Sequence, residues 1–518
     1  MDAPETPGRP AFSSRTPGKV YLVGAGPGDP GLITLRGQQV LQSCDCVVYD
    51  RLVAPSLVQR ARPDAERVFA GKAASNHSLS QGEINDLLVE RARRGLAVCR
   101  LKGGDPFLFG RGGEEAERLA QEGIPFEVVP GVSSALAVPA YAGIPLTHRE
   151  LSSSVSIITG HASATSEGPD LEALAKGSET LVFLMGVQSL ARIASRLLRA
   201  GLPPETPVAV VERGTYARQR TLVGTLEGLP ELVERDRPEP PATLVVGRVV
   251  GLRDRLSWYE TRPLFGLRVL VTRGQEQAGA LSDLLREQGA EAIECPTIRI
   301  ESLGTAVDLA ALATYDWAIF TSANAVAAFQ EAVWDAGGDV RALASARIAA
   351  LGPATEEALT SRGLRVVCRP EDDRAEGMLA ALPAELMGAR ILIPRAESAR
   401  PVLPEGLRAR GATVDILPLY RTSPWLPAEA APVSGMLARG ELDVLTFCSA
   451  SSVSAFAGVV KQPIPDACTV ACLGPVTADA ARVRGLRVDV TPEPPYTVPR
   501  LVEALADHFR RPGQARAR

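Results

Sequence analysis

The sequence predicts an α/β protein built in two halves. From Lys19 onward, short β-branched runs alternate with Gly-rich turns and stretches of helical spacing. The second half also repeats its own strand and turn landmarks at a near-constant offset. A chain of 518 residues is too long for one ordinary core.

Composition narrows the class. Apolar residues make up 45% and charged residues 22%, the balance of a soluble globular protein. No uninterrupted apolar run reaches the roughly 18 residues of a membrane span. The opening MDAPETPGRPAFSSRTPG has no apolar core, so no secretory signal is expected. Eight cysteines form no paired CxxC motif, and we expect reduced, buried thiols in a cytoplasmic protein. Lys and Arg number 56 against 60 Asp and Glu. Residues 1–262 carry 30 of each sign, and 263–518 carry 26 basic and 30 acidic. Neither half has the basic excess that nucleic-acid binding needs, so no such partner is expected, nor a membrane surface.

The elements follow in order. Residues 1–17 read as a disordered tail, rich in Pro, Ser and Gly. VYLV and CVVY are strands, with a helical stretch between them. Alternation continues to a last strand near Val250, and RDRLSWYETRPLFG then reads as a polar linker. That places one domain at 18–262 and a second at 264–510, with 511–518 as a tail. In the second domain LRVLVTRG (267–274) returns as ARILIPRA (389–396). DWAIFTSANAV (316–326) returns as DVLTFCSASSV (443–453), and ALGPAT returns as CLGPVT. Three ordered landmarks point to two related lobes, with a ligand cleft between them.

Gly24, Gly26 and Gly28 follow the first strand and Asp50 ends the next, which superficially matches a dinucleotide fingerprint. Pro27 and Asp29-Pro30 break it, because a carboxylate repels phosphate and proline removes a donor. RLKGGDPFLFGRGGEE and EVVPGVSSA supply two further Gly- and Pro-rich strand ends. Three such loops at one edge of a parallel sheet would form a ligand crevice. The plainer reading of any single loop is a tight turn.

These motifs, with VGAGPGDPGLITLRG, VVYDRLV, YAGIPLTHR and LMGV, resemble uroporphyrinogen-III C-methyltransferases of the tetrapyrrole methylase superfamily over about 19–260. The resemblance implies a fold of two α/β subdomains with S-adenosylmethionine (SAM) in the cleft between them, and a homodimer formed through this domain. It implies that Pro27, Gly103, Gly104, Asp105, Leu108, Ser133, Ser134, Met185 and Gly214 bind SAM. It implies proton acceptor and donor roles for Asp50 and Lys72, and substrate contact or proton removal for Arg111, Glu114 and Arg149. An arginine is normally protonated, so Arg111 suits the substrate's carboxylates better than a base role. Alone, Asp50 would read as a helix cap and Lys72 as a solvated amine.

The second half shows no catalytic triad and no metal-ligand spacing. RVLVTR, FTSANAV, ALGPAT, LIPRAE, LPLYRT, FCSAS and CLGPVT resemble uroporphyrinogen-III synthase over about 266–507. That likeness implies a two-lobed α/β synthase fold, one lobe near 301–421 and the other combining 266–300 with 422–507, and cyclisation of hydroxymethylbilane. Tyr420 would assist hydroxyl departure. Thr321, Ser322, Ser449, Ser451 and Thr477 would line the cleft, with Arg273 and Arg395 as carboxylate anchors. The plainer readings are helix capping by Ser and Thr and a packing role for Tyr420. Together the halves would make uroporphyrinogen III and methylate it at C2 and C7 to precorrin-2, a tetrapyrrole on the way to sirohaem or cobalamin. The alternatives are a ligand-sensing second half without catalysis, or an NAD-dependent oxidoreductase.

Overall fold

The computed structural model describes residues 18–71, 79–160, 170–272, 275–295, 297–424, 431–460 and 463–510. The chain divides into two compact units, Met1–Leu267 with Arg286–Glu291 and Arg268–Leu285 with Ala292–Arg518.

The first unit holds two sheets. Strands β1 (Val20–Gly24), β2 (Cys46–Tyr49), β3 (Glu66–Phe69), β4 (Val98–Lys102) and β5 (Phe126–Val129) lie in the order β3-β2-β4-β1-β5. All their pairings are parallel. Both faces of the three inner strands β2, β4 and β1 are buried. Val23, Val47 and Leu101 pack into one core layer, and Leu22, Val48 and Val98 into the other. The second sheet runs β6 (Val155–Thr159), β7 (Thr180–Leu184), β10 (Ala242–Val246), β8 (Pro207–Glu212) and β9 (Arg220–Thr225). Only β6 and β7 pair in parallel there. Helix Leu190–Arg199 covers it with Leu190, Ile193, Ala194 and Leu197, the spacing of one helical face.

The stretch expected to be a polar linker is packed instead. Tyr259 and Leu264 are buried, and the rings of Tyr141, Trp258 and Tyr259 contact one another edge-on or tilted. Arg253 and Gln219 both bond the Glu260 carboxylate. Arginine and glutamate made the segment look solvated, but Arg253 and Glu260 meet one another while Tyr259 and Leu264 face inward.

The second unit also holds two sheets. One is ordered β12 (Glu291–Glu294), β11 (Arg268–Val271), β19 (Val444–Phe447) and β20 (Thr469–Cys472). The other is β13 (Ile298–Ser302), β18 (Thr413–Pro424), β17 (Arg390–Ala396), β14 (Trp317–Phe320), β15 (Arg347–Ala350) and β16 (Val366–Cys368). The duplication is visible in space. The row β12-β11-β19-β20 has the same order as β18-β17-β14-β15, with the repeated segments in matching places. Ser322 and Ser449 each cap a helix after the equivalent strand. Gly352 and Gly474 do so too, each followed by a proline that needs no N–H there. One lobe boundary moves: β13 pairs antiparallel with β18 from Ile298 to Ser302 and from Pro424 to Tyr420. Residues 298–300 and 422–424, expected in the lobe of 266–300 plus 422–507, therefore belong to the six-stranded sheet of the other lobe. Among the described residues, no helix is long and apolar enough to cross a membrane.

Candidate active site

The site of the first unit is built from the ends of β1, β4 and β5, three neighbours in one sheet. Gly26 and Gly104 exchange backbone hydrogen bonds of 3.2 and 2.7 Å. A Cβ on Gly24 would come within 2.5 Å of the Gly131 backbone, so these two strand ends pack main chain to main chain. Asp105 knits the loops. Its Oδ1 accepts from the amides of Phe107 and Leu108 at 2.8 and 3.0 Å, and its Oδ2 from Gly131 at 3.0 Å. The glycine loop is closed by Asp29, whose carboxylate accepts from the Gly31 amide and the Tyr141 hydroxyl, both at 2.7 Å. That carboxylate caps a helical turn of three residues, Pro30–Leu32, and does not leave a long helix N-terminus open for a pyrophosphate. The dinucleotide alternative loses its structural basis.

Two adjoining chambers open beside these loops, of about 530 and 380 Å³. They share Pro27, Gly103, Leu108 and Ser134 in their walls. Gly104, Asp105 and Ser133 line the smaller chamber, and Met185 and Gly214 the larger. All nine positions expected to bind SAM thus face one connected cleft. Bare backbone at Gly103 and Gly104, with Gly104 at φ +71°, and a carboxylate at Asp105 suit an adenosine-bearing ligand with ribose hydroxyls. Sequence patterns did not reveal the strain here. Phe109, Arg111, Met185 and Arg213 all have left-handed backbone, at φ between 46° and 59°, and all four line the larger chamber.

Charges concentrate on the larger chamber. Asp50 lines it; its Oδ1 accepts from the Leu52 amide at 3.1 Å, and its Oδ2 lies 3.6 Å from Arg100. Arg111 also lines it and grips Glu114 through two hydrogen bonds of 2.8 and 2.6 Å. That bond raises the Arg111 pKa and lowers that of Glu114. The Arg111–Glu114 pair begins the helix Gly112–Gln121. Beneath it lies a cluster that the sequence motifs did not single out. The Glu115 Oε1 accepts from Lys102 at 2.8 Å, Arg100 at 3.1 Å and Gln81 at 3.2 Å. Burial, and next the charge of Arg100, push the Lys102 amine below its ordinary value. Two cations at alternate positions of a fully buried strand were the available signal. Arg149 is exposed beside the His148–Ser152 bridge and is not in the wall of either chamber. Lys72 lies outside the described residues.

In the second unit, Tyr420 is buried on β18 and its hydroxyl meets that of Ser322 at 3.0 Å. Burial pushes its phenol above the ordinary value, against a smaller opposing effect of that hydrogen bond. Ser322 also accepts from the Ala325 amide, and Ser449 from Ser452, so both perform the plainer capping role. Ser449 and Ser451 share a hydrogen bond of 2.9 Å. Thr321 precedes the Ser322 cap, and Thr477 is buried in the helix Pro475–Val483. Arg395 departs from expectation as an open anchor. It is buried, and its guanidinium donates to the carbonyls of Ala399 and Arg400. At the end of β17 its side chain folds onto the following loop, whose carbonyls it satisfies. Arg273 lies outside the described residues.

Residues 19–230 match the family of tetrapyrrole (corrin/porphyrin) methylases, and 279–503 match uroporphyrinogen-III synthase. The porphyrin biosynthesis protein HemD of Ruminiclostridium josui is 40% identical over 95% of this chain and 98% of its own. A uroporphyrinogen-III C-methyltransferase of Bacillus subtilis is 42% identical over 69% of this chain and 74% of its own. A solved uroporphyrin-III C-methyltransferase of Thermus thermophilus, complexed with S-adenosyl homocysteine, is 43% identical over 45% of this chain and all of its own, with a TM-score of 0.40. Matched along nearly its whole length, the chain belongs to the porphyrin-biosynthesis family in which a tetrapyrrole methylase is joined to a uroporphyrinogen-III synthase.

Proposed function

We propose that the chain cyclises hydroxymethylbilane to uroporphyrinogen III in its second half, near 264–510. Its first half, near 18–262, then methylates that product at C2 and C7 to give precorrin-2. The observation that carries the methylation reading is the connected cleft, with bare glycine backbone and Asp105 on one side and a charged chamber on the other. When bound, SAM supplies an electrophilic methyl group on its sulfonium. The protein's part is to align a pyrrole carbon with that methyl, a proximity effect, and to take up a proton afterwards. Arg111 and its neighbours suit the substrate's carboxylates, and Asp50 is a carboxylate within reach of the chamber.

For cyclisation, the buried and neutral Tyr420 is suited to donating a hydrogen bond to the departing hydroxyl. The absence of basic excess in either half supports small-molecule substrates rather than nucleic acid. Eight cysteines without a disulfide partner among the described residues support a reducing, cytoplasmic setting. A homodimer through the methylase half belongs to the same proposal, and light scattering on the purified chain tests it.

The decisive experiment is one anaerobic reaction of the chain with fresh hydroxymethylbilane and SAM, the products oxidised, separated and weighed. A type III skeleton with two added methyl groups is expected. The spontaneous type I isomer would remove the synthase half of the proposal. An unmethylated type III product would remove the other.

A further inference from the structure

Two buried cations meet one buried carboxylate at the floor of the larger chamber. Arg100 and Lys102 are each 3% exposed and Glu115 is fully buried, so two cations share one carboxylate. Asp50, partly open to the chamber, is the second anion and pairs with Arg100 at 3.6 Å, which leaves Glu115 as the partner of Lys102. The Lys102 ammonium has three donors. Among the described residues it makes one hydrogen bond, to Glu115. Its remaining donors are therefore unspent in a wall of the chamber.

The placement says which ligand would complete the set. Arg100 and Lys102 line the larger chamber and not the smaller one, where Gly104, Asp105 and Ser133 sit. The free donors of Lys102 therefore meet the molecule that fills the larger chamber. We propose that Lys102, positioned by Glu115, is a binding residue for one side-chain carboxylate of the porphyrinogen, a role that rests on the methyltransferase reading above.

The test is Lys102→Met in the full chain, which leaves Arg100 and Glu115 as a one-to-one pair. Lys102→Gln is the second variant, since its amide keeps a donor to Glu115 should methionine prevent folding. Steady-state methylation of anaerobically prepared uroporphyrinogen III is measured together with calorimetric binding of S-adenosylhomocysteine. We expect the KM for uroporphyrinogen III to rise at least tenfold and the affinity for S-adenosylhomocysteine to stay within twofold of wild type. Lys102→Arg, which keeps the charge, recovers most of the loss. An unchanged porphyrinogen KM, or an equal loss of S-adenosylhomocysteine affinity, overturns the proposal. A wild-type chain that does not methylate at all would instead overturn the methyltransferase reading, and this proposal with it.

Discussion

The hydroxyl of Tyr420 lies 3.0 Å from that of Ser322, joining the long strand β18 to the first turn of the helix after β14. Ser322 at the same time accepts the Ala325 amide at 3.1 Å, so one side chain caps a helix and holds a buried phenol. Tyr420→Phe removes only the outer end of this link. It should cost about 1 kcal/mol of stability, the usual net worth of one hydrogen bond. If the phenol assists hydroxyl departure, the same variant forms uroporphyrinogen III more slowly and lets more type I isomer escape. Thermal melts and isomer ratios read the two effects separately. A lower melting temperature with a wild-type cyclisation rate would leave Tyr420 a packing residue.

Asp105 is more deeply committed to the fold than its place in a Gly-rich turn implied. Three amides from two loops point at its carboxylate, two of them at Oδ1, and Oδ2 keeps a second lone pair for a ligand hydroxyl. Asp105→Ala should lose about 1–3 kcal/mol by leaving those amides unpaired, yet remain folded. Its affinity for S-adenosylhomocysteine should fall at least tenfold by calorimetry. An unchanged affinity would confine Asp105 to holding the loops together.

Met185 offers the opposite trade. It sits at φ +56°, and its side chain is largely exposed in the wall of the cleft. A non-glycine residue in that region stores about 1–3 kcal/mol of strain. Met185→Gly should therefore be as stable as wild type or more so, while methyl transfer slows. Melting curves and single-turnover rates test this. A clear loss of stability would mean that the methionine holds the fold rather than the ligand.

What the sequence made legible follows from spacing. Gly24, Gly131 and Asp105 stand in loops dense in Gly and Pro directly after apolar runs, and all three lie where the strand ends meet. The repeat was legible because matching strands keep matching turns, down to the paired caps Ser322 and Ser449. The Lys102–Glu115 contact was not, since a strand lysine and a helix glutamate 13 residues apart meet only once the sheet and helix pack. Tyr259 and Glu260 were hidden for a related reason: a polar composition does not tell whether charges face water or one another. Arg395 was read by position, and its guanidinium is claimed by the next loop.

Acid should weaken both units through two glutamates. Arg36, and then Lys19, hold Glu127 at about 2. Arg439, and then Arg268, do the same for Glu441. An unfolded glutamate titrates near pH ~4.3. These folded values are depressed, so the stabilisation is complete above that pH and is lost as the pH falls toward 2. Both groups are surface ones and salt screens them, so each effect is modest and shrinks further at high ionic strength. Glu127→Gln and Glu441→Gln should lower the melting temperature at pH 6 and lower it less at pH 2, where the wild-type carboxylates are losing their charge. A penalty that persists undiminished at pH 2 would mean that the side chains act through packing or neutral hydrogen bonds, and that their charge contributes nothing.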